Sequence, residues 1–213
     1  MPDAREAILG RIRSSLAASH ASPAPAASVT VPRTYLRAGQ LDERARIALF
    51  LERLRDYDAH VVESTIAALP QTIAAILAEH QQKKVIVADG LAAEILPDGF
   101  RFLAERDADV DDLNGCDGII TTCTVAIAFT GSIVLAHGPG EGARRLTLLP
   151  DRHLCIVRAD QVVETVPEAF DRLGALATHP LTFISGPSAT ADIEMTRIRG
   201  VHGPRFMDAV LVR

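Results

Sequence analysis

A chain of 213 residues, 48% of them hydrophobic, can bury a substantial core, and its formal net charge of −5 excludes a general affinity for nucleic acid, which rests on clustered Lys and Arg. Three scattered cysteines, Cys116, Cys123 and Cys155, form no CxxC pair, which excludes a disulfide framework and an iron–sulfur cluster carried by this chain. The longest near-apolar run, TVAIAFTGSIVLA (124–136), is too short to span a bilayer and is broken by Thr, Gly and Ser.

The N-terminus, MPDAREAILG, lacks the basic region and apolar core of a secretory signal, so a soluble cytoplasmic protein without membrane insertion is expected. Residues 3–18 place Ala7, Ile8, Ile12 and Leu16 on one helical stripe. The Ala-, Ser- and Pro-rich stretch 19–33 has no hydrophobic period and reads as an extended arm. The expected division is therefore 1–33, a helix with its arm, and 34–213, the main domain. Such an arm can reach a neighbouring subunit and make a homo-oligomer, or pack on its own core.

LDERARIALFLERLRDYDA then predicts a long amphipathic helix with Leu41, Ile47, Phe50, Leu51 and Leu54 on its apolar face. HVVES (60–64) predicts a strand, and LPQTIAAILAEHQQ a helix with Pro70 in its first turn. KVIVAD (84–89) reads as a buried strand, LAAEIL as a short helix, GFRFLAE as a strand, and GCDGIITTC contains another. VAIAFTG and SIVLA read as two strands at a tight bend. LTLLP (146–150), HLCIVRA (153–159) and LTFIS (181–185) are apolar runs. TVPEAFDRLGAL predicts a helix and DAVLV (208–212) a last strand. Strand and helix in alternation predict an α/β domain with an open, mostly parallel sheet flanked by helices.

Two segments carry candidate chemistry. In AFTGSIVLAHGPGEGARR (128–145), the Thr130 and Ser132 hydroxyls and the amides around Gly131 could hold an anionic oxygen. Gly138, Gly140 and Gly142 could form an anion nest, with Arg144 and Arg145 adding bidentate capture. The loop fits neither the P-loop nor the dinucleotide fingerprint, and taken by itself it favours a plain glycine turn with solvated arginines over a site.

In SGPSATADIEMTRIRGVHGP (185–204), Ser185, Gly186 and Ser188 turn the chain after a strand. Thr190 is placed to cap a short helix, with Asp192 and Glu194 in its first turns and Gly200 at its end. His202 suits proton transfer near neutral pH, or tethers the loop. His202, Asp192 and Glu194 are the candidate catalytic residues, with Glu141 a further carboxylate. No metal or other cofactor is expected, and Cys116 and Cys123 read as small buried hydrophobes.

SGPSATADIE followed by GVHGP, with TGSIVL, GPGEG, RRLTLLP and HLCIVRADQVV before it, resembles the LUD-domain family, in its lactate-utilisation protein C branch. The resemblance covers roughly residues 110–212. It implies a fold similar to the ribose-5-phosphate isomerase, glucosamine-6-phosphate deaminase and CoA-transferase group. It also implies iron–sulfur partner proteins in a complex oxidising L-lactate to pyruvate. In that reading this chain is a non-redox subunit or accessory protein, with a small anionic ligand between Thr130–Ser132, Gly138–Arg145 and Ser185–His202, at the carboxyl ends of the strands. Whether the chain is itself an enzyme stays open. An independent enzyme acting on a sugar phosphate or an acyl-CoA, and a purely structural assembly factor, are the other readings. Family members commonly read Ala-Glu-Thr-Gly-Thr where this chain has Ala128 to Ser132. Phe129 in place of that Glu speaks against covalent CoA transfer.

Overall fold

The computed structural model describes residues 4–19, 34–176, 178–191, 197–200 and 202–213. The chain divides into two compact units, residues 1–35 and 36–213. Helix α1 (Ala4–Ser19) belongs to the first. The second opens with α2 (Glu43–Asp56), β1 (His60–Ser64), α3 (Leu69–Glu79), β2 (Lys84–Val87), β3 (Arg101–Ala104), α4 (Val110–Asn114) and β4 (Gly118–Thr121). It continues with β5 (Val125–Ile127), β6 (Ser132–Leu135), β7 (Arg152–Arg158), β8 (Val162–Val163), α5 (Val166–Leu173), β9 (Thr182–Ile184), β10 (Ala189–Ala191), β11 (Arg197–Arg199) and β12 (Phe206–Val212).

Six strands form a wholly parallel sheet in the order β1-β12-β7-β4-β2-β3. A second sheet runs β8-β5-β6-β9, in which β5 pairs with β8 in parallel and β6 is antiparallel to both neighbours. The α/β class and the mostly parallel sheet flanked by helices hold as expected. Period-2 alternation sorts the main sheet's faces. Leu154, Ile156, Val210 and Val212 meet Leu69, Ile73, Ile76 and Leu77 of α3. On the opposite face, Cys155, Val157, Ala209 and Leu211 share a core with Ile47, Phe50, Leu51 and Leu54 of α2 and with Ile133 and Leu135 of the second sheet. Each large aliphatic or aromatic side chain so buried contributes about 1.5–3 kcal/mol. Among the described residues no helix is long and apolar enough to cross a membrane.

Local chemistry accounts for the helix ends. The Asp42 side chain accepts from the Ala45 amide and starts α2 at Glu43, two residues after Leu41, which is exposed outside the helix rather than on its buried face. Thr165 and Glu168 form a reciprocal capping box at α5, with Pro167 in the first turn. Glu168 does more than cap. Its oxygens also accept from the amides of Gly39 and Glu164, while Glu164 Oε2 accepts from Leu41 N, so two carboxylates fasten the segment before α2.

Burial alone would raise the Glu168 carboxyl, but the amides of Thr165, Gly39 and Glu164 and the Thr165 hydroxyl outweigh it and hold it below the ordinary glutamate range. A lowered folded-state value means that this contribution is complete above the unfolded glutamate range. It is lost as pH falls through the lowered value. Stability measured by urea unfolding from neutral pH downward is therefore expected to fall less steeply in Glu168→Gln than in the native chain.

Local expectations are refined at three places. LAAEIL is helical only over the 3-10 turn Ala93–Ile95, and the apolar run 146–150 makes turns. The helix expected after Thr190 is absent among the described residues: β10 and β11 pair antiparallel, Thr190 opposite Ile198. Thr190 lies within strand β10, and Arg197 opens strand β11. Asp192 and Glu194 lie outside the described residues.

Candidate functional site

The glycine-rich loop after β6 is sewn onto the carboxyl end of the main sheet. Gly140 N donates to Asp89 O, and Thr122 N donates to Gly140 O, both at 2.6 Å. Asp89 follows β2 and Thr122 follows β4. These strands are neighbours whose onward connections leave in opposite directions, to β3 on one side and β7 on the other. That makes this edge the topological switch point of the sheet, where open α/β folds place ligands.

A cavity of about 730 Å³ opens there, with Asp89, Glu105, Gly138, Gly142, Arg144 and Arg145 in its wall. Its polar groups are partly committed. Glu105 Oε1 accepts from Ala143 N at 3.0 Å, and Arg145 donates to Glu105 O at 3.1 Å. His137, held at φ 60°, donates from Nδ1 to Gly142 O at 2.8 Å. Asp89 Oδ1 is buried without a hydrogen-bond partner among the described residues, although Arg106 Nη1 approaches to 3.7 Å. An acceptor left short in this way is a docking point for a ligand hydroxyl or proton.

A second cavity of about 240 Å³ gathers Arg144, Ser185, Gly186, Ser188 and His202 over the buried His153. The described ends of segment 185–204 are tied together: Ser188 N donates to Pro204 O at 2.7 Å, Gly200 N to Ser188 O at 3.0 Å, and His202 N to Ser188 Oγ at 3.2 Å. Arg144 closes it from the glycine loop, donating to Thr147 O at 3.0 Å and to His202 O at 3.5 Å. Hydroxyls extend the site inward, with Thr130 Oγ1 at 2.8 Å from Ser132 Oγ and Ser132 Oγ at 2.7 Å from Ser185 Oγ.

The expected single pocket is thus two cavities that share Arg144. The expectation that Ser185–His202 lies at the carboxyl ends of parallel strands is corrected. Strand β9 pairs antiparallel with β6, and the cavity after it is floored by His153 and Met207, the second residues of β7 and β12. Ser185, Gly186, Ser188 and His202 share one cavity, and Gly138, Gly142 and Arg145 the other. Thr130, Gly131 and Gly140 line neither, and Ser132 reaches the smaller cavity only through Ser185. Glu141 is a brace. It is buried, and its oxygens accept from Thr124 Oγ1 and Ala136 N, each at 2.6 Å.

Phe129 is 56% exposed beside the hairpin turn. The neighbouring Cys155 and burial hold the Cys123 thiol well above its ordinary range, and burial raises that of Cys116, so neither is an activated nucleophile. Asp89, Glu105 and His153 were not singled out from the sequence. Asp89 carried a usable signal, an acid closing the buried strand KVIVAD immediately before a glycine.

The LUD domain family model matches residues 47–212 and so takes in both cavities and both sheets. The chain belongs to the LUD domain family. A lactate utilization protein C from Deinococcus radiodurans is 41% identical over 166 residues, covering 76% of this chain and 77% of that protein. One from Halalkalibacterium halodurans is 28% identical over 159 residues, covering 68% and 69%. The crystal structure of a DUF162 family protein from Deinococcus radiodurans superposes with a TM-score of 0.71 at 34% identity, covering 82% of this chain and all of that one. The matched region begins within α2 and ends at β12, so α1 and residues 20–33 precede it.

Proposed function

We propose that this LUD domain protein serves lactate utilisation as a non-redox subunit or accessory protein of an iron–sulfur system that oxidises L-lactate to pyruvate. In this reading it binds a small carboxylate or phosphate anion at the carboxyl edge of its parallel sheet. The role rests on the 41% identical relative, a lactate utilization protein C that aligns over three quarters of both chains. The ligand rests on one observation, the position of Arg144 in the walls of both cavities, one of them at the switch point. Gly138, Arg144 and Arg145 would meet the anion, and Asp89 a hydroxyl beside it. The switch-point crevice also supports kinship with the ribose-5-phosphate isomerase, glucosamine-6-phosphate deaminase and CoA-transferase folds. Phe129 argues against a covalent acyl intermediate in this member.

The test has two parts. Cells lacking this protein are expected to grow on pyruvate but not on L-lactate, with growth restored by the native chain. Equal growth on both would refute the role. Calorimetric titration with L-lactate, pyruvate and inorganic phosphate is expected to give binding that Arg144→Ala weakens about tenfold or more, as loss of a charge-assisted hydrogen bond requires. The melting temperature should barely move, because Arg144 is exposed. Unchanged affinity would remove Arg144 from the site.

A further inference from the structure

On the main-sheet face covered by α3, away from both cavities, three side chains meet that no local motif connects. His60 begins β1 and lies directly beside Asp208 of β12 in the parallel register. His80 ends α3. One donor atom from each of His60, His80 and Asp208 lies within 4.8 Å of the other two. His60 Nδ1 is 2.9 Å and His80 Nε2 3.4 Å from the same oxygen, Asp208 Oδ1.

The simplest account is a buried carboxylate neutralised by its neighbours. Arg152 Nη1 takes Asp208 Oδ2 at 2.9 Å while its guanidinium stacks on Phe206, 4.6 Å from the ring centre. With His60 on Oδ1, Asp208 is satisfied. That account leaves His80 unexplained, for its Nε2 is buried, faces the carboxylate and makes no hydrogen bond among the described residues. A ring nitrogen directed at an occupied carboxylate oxygen and at a second imidazole is placed as a ligand atom is placed.

We infer that His60, His80 and Asp208 form a binding site for a divalent transition metal, with zinc the best match. Two imidazoles and one carboxylate are a zinc donor set, and metal–ligand distances near 2.0–2.1 Å put tetrahedral donors about 3.3–3.4 Å apart. The Asp208–His80 separation already has that value, and the Asp208–His60 contact needs only to open slightly. Arg152 does not compete for the coordinating oxygen. It fixes the carboxylate through Oδ2 and so acts as an outer-shell orienting residue, at some cost in cation affinity. The His60 side chain is 43% exposed and that of His80 22%, so a metal enters from that side and water completes the coordination. His153 and Met207, which floor the smaller cavity, alternate along β7 and β12 with Arg152 and Asp208 and face the other way. The metal therefore staples β1, β12 and the end of α3 without touching the anion site.

The experiment is calorimetric titration of zinc chloride into the chelator-stripped full chain, with melting temperature recorded in parallel. One equivalent is expected to bind and raise the melting temperature. His60→Ala and His80→Ala should each reduce affinity by more than about 100-fold, and Arg152→Gln by roughly 10–100-fold, the usual range for an outer-shell partner. If His80→Ala proves unfolded by circular dichroism, His80→Gln replaces it. No stoichiometric binding, or affinity kept in either folded histidine variant, would overturn the site.

Discussion

Asp208→Ala is expected to lower the stability of the metal-free protein by about 3–5 kcal/mol, the usual cost of removing one partner from a buried ion pair. Asp208 is fully buried and supplies the only carboxylate on Arg152 among the described residues, the Arg152 side chain being 15% exposed. Truncation leaves a guanidinium desolvated at the amino ends of β7 and β12, with His60 losing its partner as well. The comparison that makes the result interpretable is Asp56→Ala. That residue pairs with Arg53 at 3.1 Å, but both side chains are exposed. Solvent-exposed pairs of this kind contribute about 0–1 kcal/mol. Urea unfolding with unchanged m-values measures both. A loss below about 1 kcal/mol for Asp208→Ala would mean that the site relaxes or hydrates and that Arg152 does not depend on it.

Gly142→Ala is expected to cost several kcal/mol and to disorganise the switch-point loop, while Gly138→Ala leaves stability unchanged. Gly142 has φ +71°, and a Cβ there would lie 2.5 Å from Leu146 Cδ2 and 2.8 Å from Glu105 Oε2. Neither neighbour yields easily, because Leu146 is fully buried and Glu105 is buried while accepting from Ala143 N. Left-handed backbone adds about 1–2 kcal/mol for a residue with a Cβ. At Gly138 a Cβ would meet nothing within 4 Å. The pair therefore separates two roles that one glycine-rich motif suggested together. Gly142 serves close packing, and Gly138 leaves open space at the cavity wall. Thermal unfolding of the two variants decides it, and equal losses would show the loop to be uniformly strained.

Much of the scaffold was legible because its signals are local. The stripe Ile47, Phe50, Leu51 and Leu54 announces α2, and Thr165, Pro167 and Glu168 announce the start of α5, since capping groups and apolar periods act within one or two turns. The same locality misled at Thr190. Its capping chemistry favours a helix, but extended pairing of 189–191 with 197–199 prevails in the fold. LTFIS was legible as a strand but not its direction, because only the hydrogen bonds to β6 set that.

The site divides the same way. Arg144, Arg145, Ser185 and His202 stood out as residue types in glycine-rich turns. That they form two cavities joined at Arg144 depends on where the two sheets bring their loops. Asp208 and His60 stand 148 residues apart, and their contact comes from a parallel register that no spacing encodes. The sequence by itself determined the α/β class and the presence of α2, α3 and α5, because propensity, capping and apolar period are short-range properties of the chain, and its motifs carried the resemblance to the family. Strand order, the switch point and the cluster around Asp208 were decided only by tertiary structure, because burial between distant strands is what makes one pairing register win over all others.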